Sequence, residues 1–297
     1  NCLIHPQCFK VLGFFKDGIN VEKLERKMFK RIFNYIDYLI AHVRPKERVY
    51  IAIDGVAPCA KINQQRKRRF KSTYDAQIYG EIKKRHGKHS ADIWSNTCIT
   101  PGTEFMERLH QEFLKYVSSD RLKMKIKYTY SSYHEPGEGE HKILQDIKIK
   151  NDPGPCVIYG LDADLIFLAL ASGKDNIYLL REEAQIRGND CEKEEIINIV
   201  TDVGEDLNFV SMDETKKSIN EQINDIIVGK GKNESNYNFT NDFIFMCYFL
   251  GNDFLPNIPS IEIKNDGMDF ILDNFTEVYL TLGCGIMNGK EINHIFL

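Results

Sequence analysis

The chain has no closely spaced cysteine pair, no apolar stretch that could cross a bilayer and no overall excess of positive charge. Its eight cysteines are scattered without a C-x-x-C pair, so neither a zinc site nor a disulfide framework or disulfide-linked partner is indicated, and we expect a reduced, intracellular protein. The longest apolar runs, near 165–171 and 243–250, are too short for a membrane span, and we expect no membrane partner. A net charge of −4 argues against tight, sequence-independent binding of duplex nucleic acid.

Size and periodicity predict an α/β fold. The 297 residues, 42% of them apolar, can bury one large domain or one and a half. Apolar residues recur at helical spacing over about 21–43. Strand patterns separated by helical stretches occur at 49–53, 123–130, 156–159 and 177–181. This order predicts a central, mostly parallel, twisted sheet flanked by helices, with a polar insertion at about 183–240.

A carboxylate and a concentration of positive charge follow the first predicted strand. Asp54 stands at its end, and six Lys and Arg fall within 61–71, which we predict to be helical. Four polar side chains at i, i+4, i+7 and i+8 share one face of this helix. They are Lys61, Gln65, Arg68 and Arg69. Composition alone fits a solvated surface helix equally well, but the position directly after Asp54 favours an anionic ligand such as a phosphodiester.

The next stretch of chain carries fewer signals. Residues 72–95 are polar and are predicted to form a connection, and Thr100 is predicted to cap the helix that follows.

Three further acidic clusters each adjoin an apolar element. They are Glu138 and Glu140 within 136–142, Asp162 and Asp164 after the strand at 156–159, and Asp253 after the run 243–250. Each has an ordinary structural explanation, as a helix N-cap, an exposed turn or a helix-terminating loop. Because ligands of open α/β sheets collect at the carboxyl ends of strands, we predict instead that these acids and Asp54 converge on one crevice.

Carboxylate oxygens are ligands for Mg²⁺ or Mn²⁺. Several acids crowded together repel one another unless cations neutralise them, and two cations about 4 Å apart are the usual device for phosphodiester cleavage. We therefore predict two divalent cations at this crevice.

The sequence resembles the amino-terminal nuclease region of the XRN family of 5′-to-3′ exoribonucleases. The matching segments appear in family order and reach from Asn1 to about Ile263. They are 52–58, 60–66, 95–96, 98–106, 136–142, 160–165, 180–182 and 251–256. The resemblance implies a PIN-like, flap-endonuclease-like α/β fold with a two-metal acidic centre, acting on single-stranded RNA with a 5′ monophosphate.

The resemblance also assigns individual residues. Six acids correspond to the metal site and the catalytic centre of the family: Asp54, Glu138, Glu140, Asp162, Asp164 and Asp253. The pocket for the 5′ phosphate corresponds to Lys61, Gln65, Arg68 and Arg69. His5 corresponds to the histidine that stacks on the terminal base, and Arg181 lies in a matching segment without an assigned role.

Two departures from the family pattern concern the ends of the chain. The family begins with Asp-x-Asn-Gly, whereas this chain opens at the Asn with Cys2 in place of Gly, so the first metal-site Asp would precede Asn1. We found no match to the second conserved region of the family before Leu297. We therefore expect a fragment of a nuclease domain spanning 1–297, with weak or no activity by itself.

The leading hypothesis is a Mg²⁺-dependent (or Mn²⁺-dependent) 5′-to-3′ exoribonuclease. A flap-type DNA nuclease shares the fold and acids but is not expected to carry the terminal-phosphate helix. An inactive RNA-binding or scaffolding relative would be marked by loss of the acids, all six of which are present within this span. The sequence does not separate a cytoplasmic from a nuclear member, and we take the cytoplasm as the expectation.

Overall fold

The computed structural model describes residues 2–13, 20–87, 94–119, 126–160, 162–183, 196–289 and 291–296. The chain divides into two compact units. Unit 1 comprises Asn1–Asp146 and Glu182–Asn208, and unit 2 comprises Ile147–Arg181 and Phe209–Leu297.

Helices account for most of the described residues. The helices are α1 Ile4–Leu12, α2 Val21–Val43, α3 Cys59–Arg85, α4 Glu104–Ser118, α5 Gly139–Lys150, α6 Asp164–Ala171, α7 Ile196–Thr201, α8 Met212–Gly229, α9 Thr240–Phe249 and α10 Gly267–Leu282. The strands are β1 Arg48–Ala52, β2 Lys127–Ser131, β3 Cys156–Tyr159, β4 Ile177–Glu182, β5 Leu207–Ser211, β6 Met287–Asn288 and β7 Glu291–Ile292. The α/β class predicted from the sequence is confirmed.

The core of unit 1 is built around α2. The side chain of Asn20 accepts a hydrogen bond from the Glu22 backbone N–H at 2.8 Å and so caps the start of α2. Arg44, at φ 51°, ends the helix in the left-handed conformation. The apolar face of α2 is buried with residues of α1 and α4, including Cys8 and Phe105. The helix predicted over 21–43 is therefore correct at both ends.

The described strands form three small sheets. β1 and β2 pair in parallel, from Arg48 opposite Lys127 to Ala52 opposite Ser131. β3 pairs in parallel with β4, and β5 follows β4 in the same sheet. β6 and β7 form an antiparallel hairpin. Among the described residues the strands do not join into the single central sheet predicted from the sequence. The prediction failed because periodicity identifies strands but does not show which strands pair.

Two other predicted elements differ from the structure. α3 continues to Arg85, so most of the stretch expected to be a connection over 72–95 is helical. The helix α4 is capped by Thr103 and not by Thr100, since the Thr103 hydroxyl accepts the Met106 N–H at 3.3 Å. Thr100 lies one turn earlier and donates its hydroxyl to the Thr97 carbonyl at 2.7 Å.

The segment predicted as a polar insertion contains α7, β5 and α8. In unit 1, the buried Arg31 guanidinium donates to the backbone carbonyls of Ile199 and Asp202, and to the Gln7 side chain at 2.8 Å. The Asn34 amide donates to the Val200 carbonyl at 2.7 Å. These bonds attach the end of α7 to α2.

Unit 2 packs α6, α8, α9 and α10 around its own core. Within the described parts of the chain, none of the helices combines the length and apolar content that a bilayer span requires.

Candidate active site

The turn that carries Asp54 is joined by backbone hydrogen bonds to the loop before α5. The Gly55 N–H donates to the Gly137 carbonyl at 2.8 Å, and the Gly137 N–H donates to the Val56 carbonyl at 2.9 Å. A Cβ atom on Gly55 would lie 1.9 Å from the Glu135 carbonyl oxygen, so only glycine fits there. The glycine-rich sequence around Glu138 thus places the loop directly against the end of β1.

Asp54 and the start of α5 are in direct contact. The Asp54 Oδ1 atom accepts the Gly139 N–H at 2.7 Å, at the first residue of α5. The free N–H groups and the dipole at a helix N-terminus favour a carboxylate at that position. The Asp54 carboxylate is therefore held next to Glu138 and Glu140, which flank Gly139 in the sequence.

Glu138 is the buried acid of the group, with 6% of its surface exposed. The Lys61 ammonium on α3 pairs with its Oε1 atom. Its Oε2 atom is buried and, among the described residues, has no hydrogen-bond partner. Buried polar atoms are nearly always satisfied, so an unsatisfied carboxylate oxygen fits a position that faces a cation. Glu138, Glu140 and His141 have ligand atoms all within 4.8 Å of one another.

Lys142 is the basic residue enclosed by this acidic loop. Its buried ammonium donates to the Ile53 carbonyl at 2.8 Å and to the Ser132 carbonyl at 2.9 Å. Burial lowers the pKa of Lys142, and the Glu135 and Asp54 carboxylates oppose that shift. The lysine therefore ties the end of β1 to the segment after β2.

The four residues predicted to share one face all lie on α3, and they differ in burial. Lys61, Gln65 and Arg69 are half-buried, and the Arg69 guanidinium donates to Gln65 Oε1 at 3.4 Å. Arg68 is solvent-exposed, as are Arg66 and Lys67. The structure thus separates Arg69 from Arg66 and Lys67 by burial.

His5 lies on α1 within electrostatic reach of this face. Burial is the main cause that lowers the pKa of His5, while the Asp54 carboxylate raises it and the Arg68 guanidinium lowers it. The ring of Phe9, one turn along α1, lies 6.2 Å away and nearly parallel. Unit 1 therefore contains all the predicted phosphate-pocket and base-stacking residues, together with Asp54, Glu138 and Glu140.

The other three predicted acids lie in unit 2. Asp162 is exposed and Asp164 is half-buried in the first turn of α6. The Asp162 carbonyl accepts the Leu165 N–H at 3.3 Å and Ala163 is already helical, so Asp162 stands at the start of α6, where the N-cap explanation still applies to it. The convergence of these acids with those of unit 1 stays a prediction.

Asp253 follows α9 in a tight loop. Gly251 has φ 80°, and the Asn252 side chain accepts the backbone N–H groups of Phe254 at 2.9 Å and Leu255 at 2.8 Å. This loop geometry accounts for the Gly-Asn pair that precedes Asp253. Arg181 lies in β4, which gives no support for a specific role.

His141 and Lys142 both stand in the acidic motif, but no role was predicted for either from the sequence. His141 follows Glu138 at i+3, a spacing that brings side chains together at the start of a helix, and this signal was available. The burial of Lys142 was not predictable, because lysine is nearly always exposed.

Comparisons with known proteins identify the family to which these motifs belong. A family profile described as "XRN 5'-3' exonuclease N-terminus" matches residues 1–183, and one described as "Xrn1 helical domain" matches residues 236–295. The second match extends beyond the segments recognised by motif. Residues 184–235 lie between the two.

Curated relatives include three named exoribonucleases. The chain is 33% identical to human 5'-3' exoribonuclease 1, with 93% of this chain and 17% of the relative covered. It is 33% identical to Arabidopsis thaliana 5'-3' exoribonuclease 2, with 90% of this chain and 30% of the relative covered. It is 35% identical to Schizosaccharomyces pombe 5'-3' exoribonuclease 2, with 86% of this chain and 29% of the relative covered. The chain thus spans less than a third of the length of these relatives.

The first profile covers more than half of the chain and includes the Asp54 turn, the Glu138 loop and the basic face of α3. The chain belongs to the XRN family of 5'-3' exonucleases.

Proposed function

We propose that this chain is the nuclease part of a Mg²⁺-dependent 5′-to-3′ exoribonuclease acting on single-stranded RNA with a 5′ monophosphate. The observation that carries the proposal is the juxtaposition, within unit 1, of Asp54, the buried Glu138 and the basic face of α3. Exoribonuclease names of the relatives favour RNA as the substrate class. The fold would be PIN-like, and the protein intracellular and most simply cytoplasmic.

The chain's own residues divide the work of binding and positioning. Gln65, Arg68 and Arg69 grip the terminal phosphate by charge-assisted hydrogen bonds, with Lys61 bridging to Glu138. His5 stacks on the terminal base and fixes its register. A triphosphate or cap would be rejected mainly by its size, whereas a hydroxyl end lacks the phosphate that makes the ionic contacts.

The acids hold the metal ions of the reaction. Asp54, Glu138, Glu140, Asp162, Asp164 and Asp253 would bind two divalent cations, and the unsatisfied Glu138 oxygen fits such a role. When bound, these cations supply an activated water and charge stabilisation at the leaving oxygen. Lys142 and the Gly139 N–H keep the Asp54 turn and the Glu138 loop in register.

Digestion of matched RNAs tests the proposal. Oligonucleotides with 5′-hydroxyl, monophosphate and triphosphate ends are incubated with and without Mg²⁺, using the full-length protein, and products are resolved by length. We expect Mg²⁺-dependent release of nucleotides from the 5′ end of the monophosphate RNA alone. A matched DNA flap substrate is the control. Preferential cleavage of the flap would contradict this proposal and indicate a flap-type DNA nuclease. Absence of cleavage with retained RNA binding would indicate an inactive relative.

A further inference from the structure

The two oxygens of Glu138 have different surroundings. Oε1 pairs with Lys61, whereas Oε2 is buried without a hydrogen-bond partner among the described residues. The whole side chain is more than nine-tenths buried. Leaving a buried carboxylate oxygen unsatisfied costs free energy, which a ligand at that oxygen would recover.

A histidine nitrogen lies close to this oxygen. His141 Nδ1 lies 3.7 Å from Glu138 Oε2, too far for a hydrogen bond and compatible with two ligands on one ion. Metal–ligand bonds of about 2.0–2.2 Å place neighbouring ligand atoms roughly 3–4 Å apart. Glu140 offers an oxygen within the same 4.8 Å limit, so two oxygens and one nitrogen lie close enough together to bind one ion.

We propose that His141 supplies a nitrogen ligand to a divalent transition-metal ion held by Glu138 and Glu140. The inference deepens the proposed function, because it concerns one ion of the same acidic centre. Mg²⁺ takes oxygen ligands, whereas imidazole nitrogen binds transition ions. The site should therefore bind Mn²⁺ more tightly than Mg²⁺, with His141 responsible for the difference.

His141→Gln and His134→Gln provide a matched comparison. Both histidines are substantially exposed and close in sequence, but His134 contacts Glu107 at 3.4 Å and is outside the three-residue group. The full chain is loaded with Mn²⁺, and pulsed electron paramagnetic resonance records the modulation caused by a directly bound ¹⁴N nucleus. Affinities for Mn²⁺ and Mg²⁺ are measured in parallel by calorimetry without RNA.

We expect ¹⁴N modulation in the wild type and in His134→Gln, and its loss in His141→Gln. Mn²⁺ affinity should fall about tenfold or more in His141→Gln, the scale seen when the shell of a metal site is altered, while Mg²⁺ affinity changes little. Absence of the signal from the wild type, or its persistence in His141→Gln, would overturn the inference.

The RNA digestion assay separates the two claims. Cleavage by a protein whose bound Mn²⁺ has no nitrogen ligand would leave the nuclease proposal intact and remove only His141. A nitrogen-ligated ion in a protein that does not cleave RNA would support His141 as a metal ligand and contradict the proposed nuclease function.

Discussion

Arg68 and Arg69 provide the sharpest test of the phosphate pocket. Replacing either by alanine should reduce the preference for monophosphate over hydroxyl ends by roughly tenfold or more, since each charge-assisted contact is worth about 1.5–3 kcal/mol. The measurement is the ratio of cleavage rates on the two RNAs. Arg69, half-buried against Gln65, should show the larger effect.

Arg66 and Lys67 supply the control on the same helix. Both are exposed and point away from the predicted face, because helical residues advance by about 100°. Their replacement should weaken RNA binding and its salt dependence without changing end preference. Equal effects from the two pairs would mean a diffuse basic surface and no pocket.

Asp162 and Asp164 test the metal role in unit 2. In the full-length protein, Asp164→Ala or Asp162→Asn should abolish cleavage while RNA binding largely survives, because loss of a metal ligand affects the transition state more than the distributed phosphate contacts. Cleavage rate and RNA affinity are measured separately. Asp269→Asn, at an exposed position on α10, is the control. Near-normal turnover in the Asp162 and Asp164 variants would remove them from the metal site.

The junction between β1 and α5 depends on Lys142. Lys142→Met should lower the free energy of unfolding by about 1–3 kcal/mol, because the Ile53 and Ser132 carbonyls lose their donor. Urea denaturation measures the loss. Lys148→Met, exposed on the same helix, should change stability by no more than about 0.5 kcal/mol. Equal stability of the two variants would show that the junction does not need this lysine.

The β6–β7 hairpin of unit 2 depends on a buried acid. Asp242 Oδ1 accepts the Met287 N–H at 2.9 Å, and burial raises the pKa of Asp242. Because the folded pKa exceeds the unfolded value, stability contributed by the protonated form is present at low pH and is lost as pH rises through the folded pKa.

Asp242→Asn removes this pH dependence while retaining an acceptor for Met287. The free energy of unfolding of the variant, minus that of the wild type, should therefore increase from about pH 4, near the unfolded pKa, upward. Urea titrations at several pH values measure the difference, in which the other carboxylates cancel. A difference independent of pH would show that folding does not raise the pKa of Asp242.

A helix was predictable from the sequence where one of its faces is apolar and buried, and was missed where it has no buried face. Val21–Val43 was predicted because one face is apolar and buried, so its period is visible. Residues 72–85 gave no such signal, because none of the residues of α3, all of them described, is buried. The face shared by Lys61 and Arg69 follows from helical geometry alone. The Lys61–Glu138 ion pair could not be predicted from the sequence. The two residues are 77 positions apart, and the sequence does not show which acid a distant lysine contacts.

The proposed function requires the acids of both units to bind the same metal ions. If they do, Asp54→Asn and Asp253→Asn should each reduce Mn²⁺ affinity by about tenfold or more. The double variant should then depart from additivity, as expected for residues with a common partner. Calorimetric titration of the two single variants and the double variant measures this coupling. Independent, additive effects would contradict a shared two-metal centre.

The exposed length of α3 has a consequence for the affinity of phosphate binding. At 1.5 Å per residue its 27 residues span about 40 Å, and Phe70, Tyr74 and Tyr79 remain largely in water. A helix without a buried face draws little stability from packing, so its turns open by local unfolding more readily than those of α2. A terminal phosphate that binds only the formed helix is therefore held with an affinity reduced by the fraction of molecules in which those turns are open.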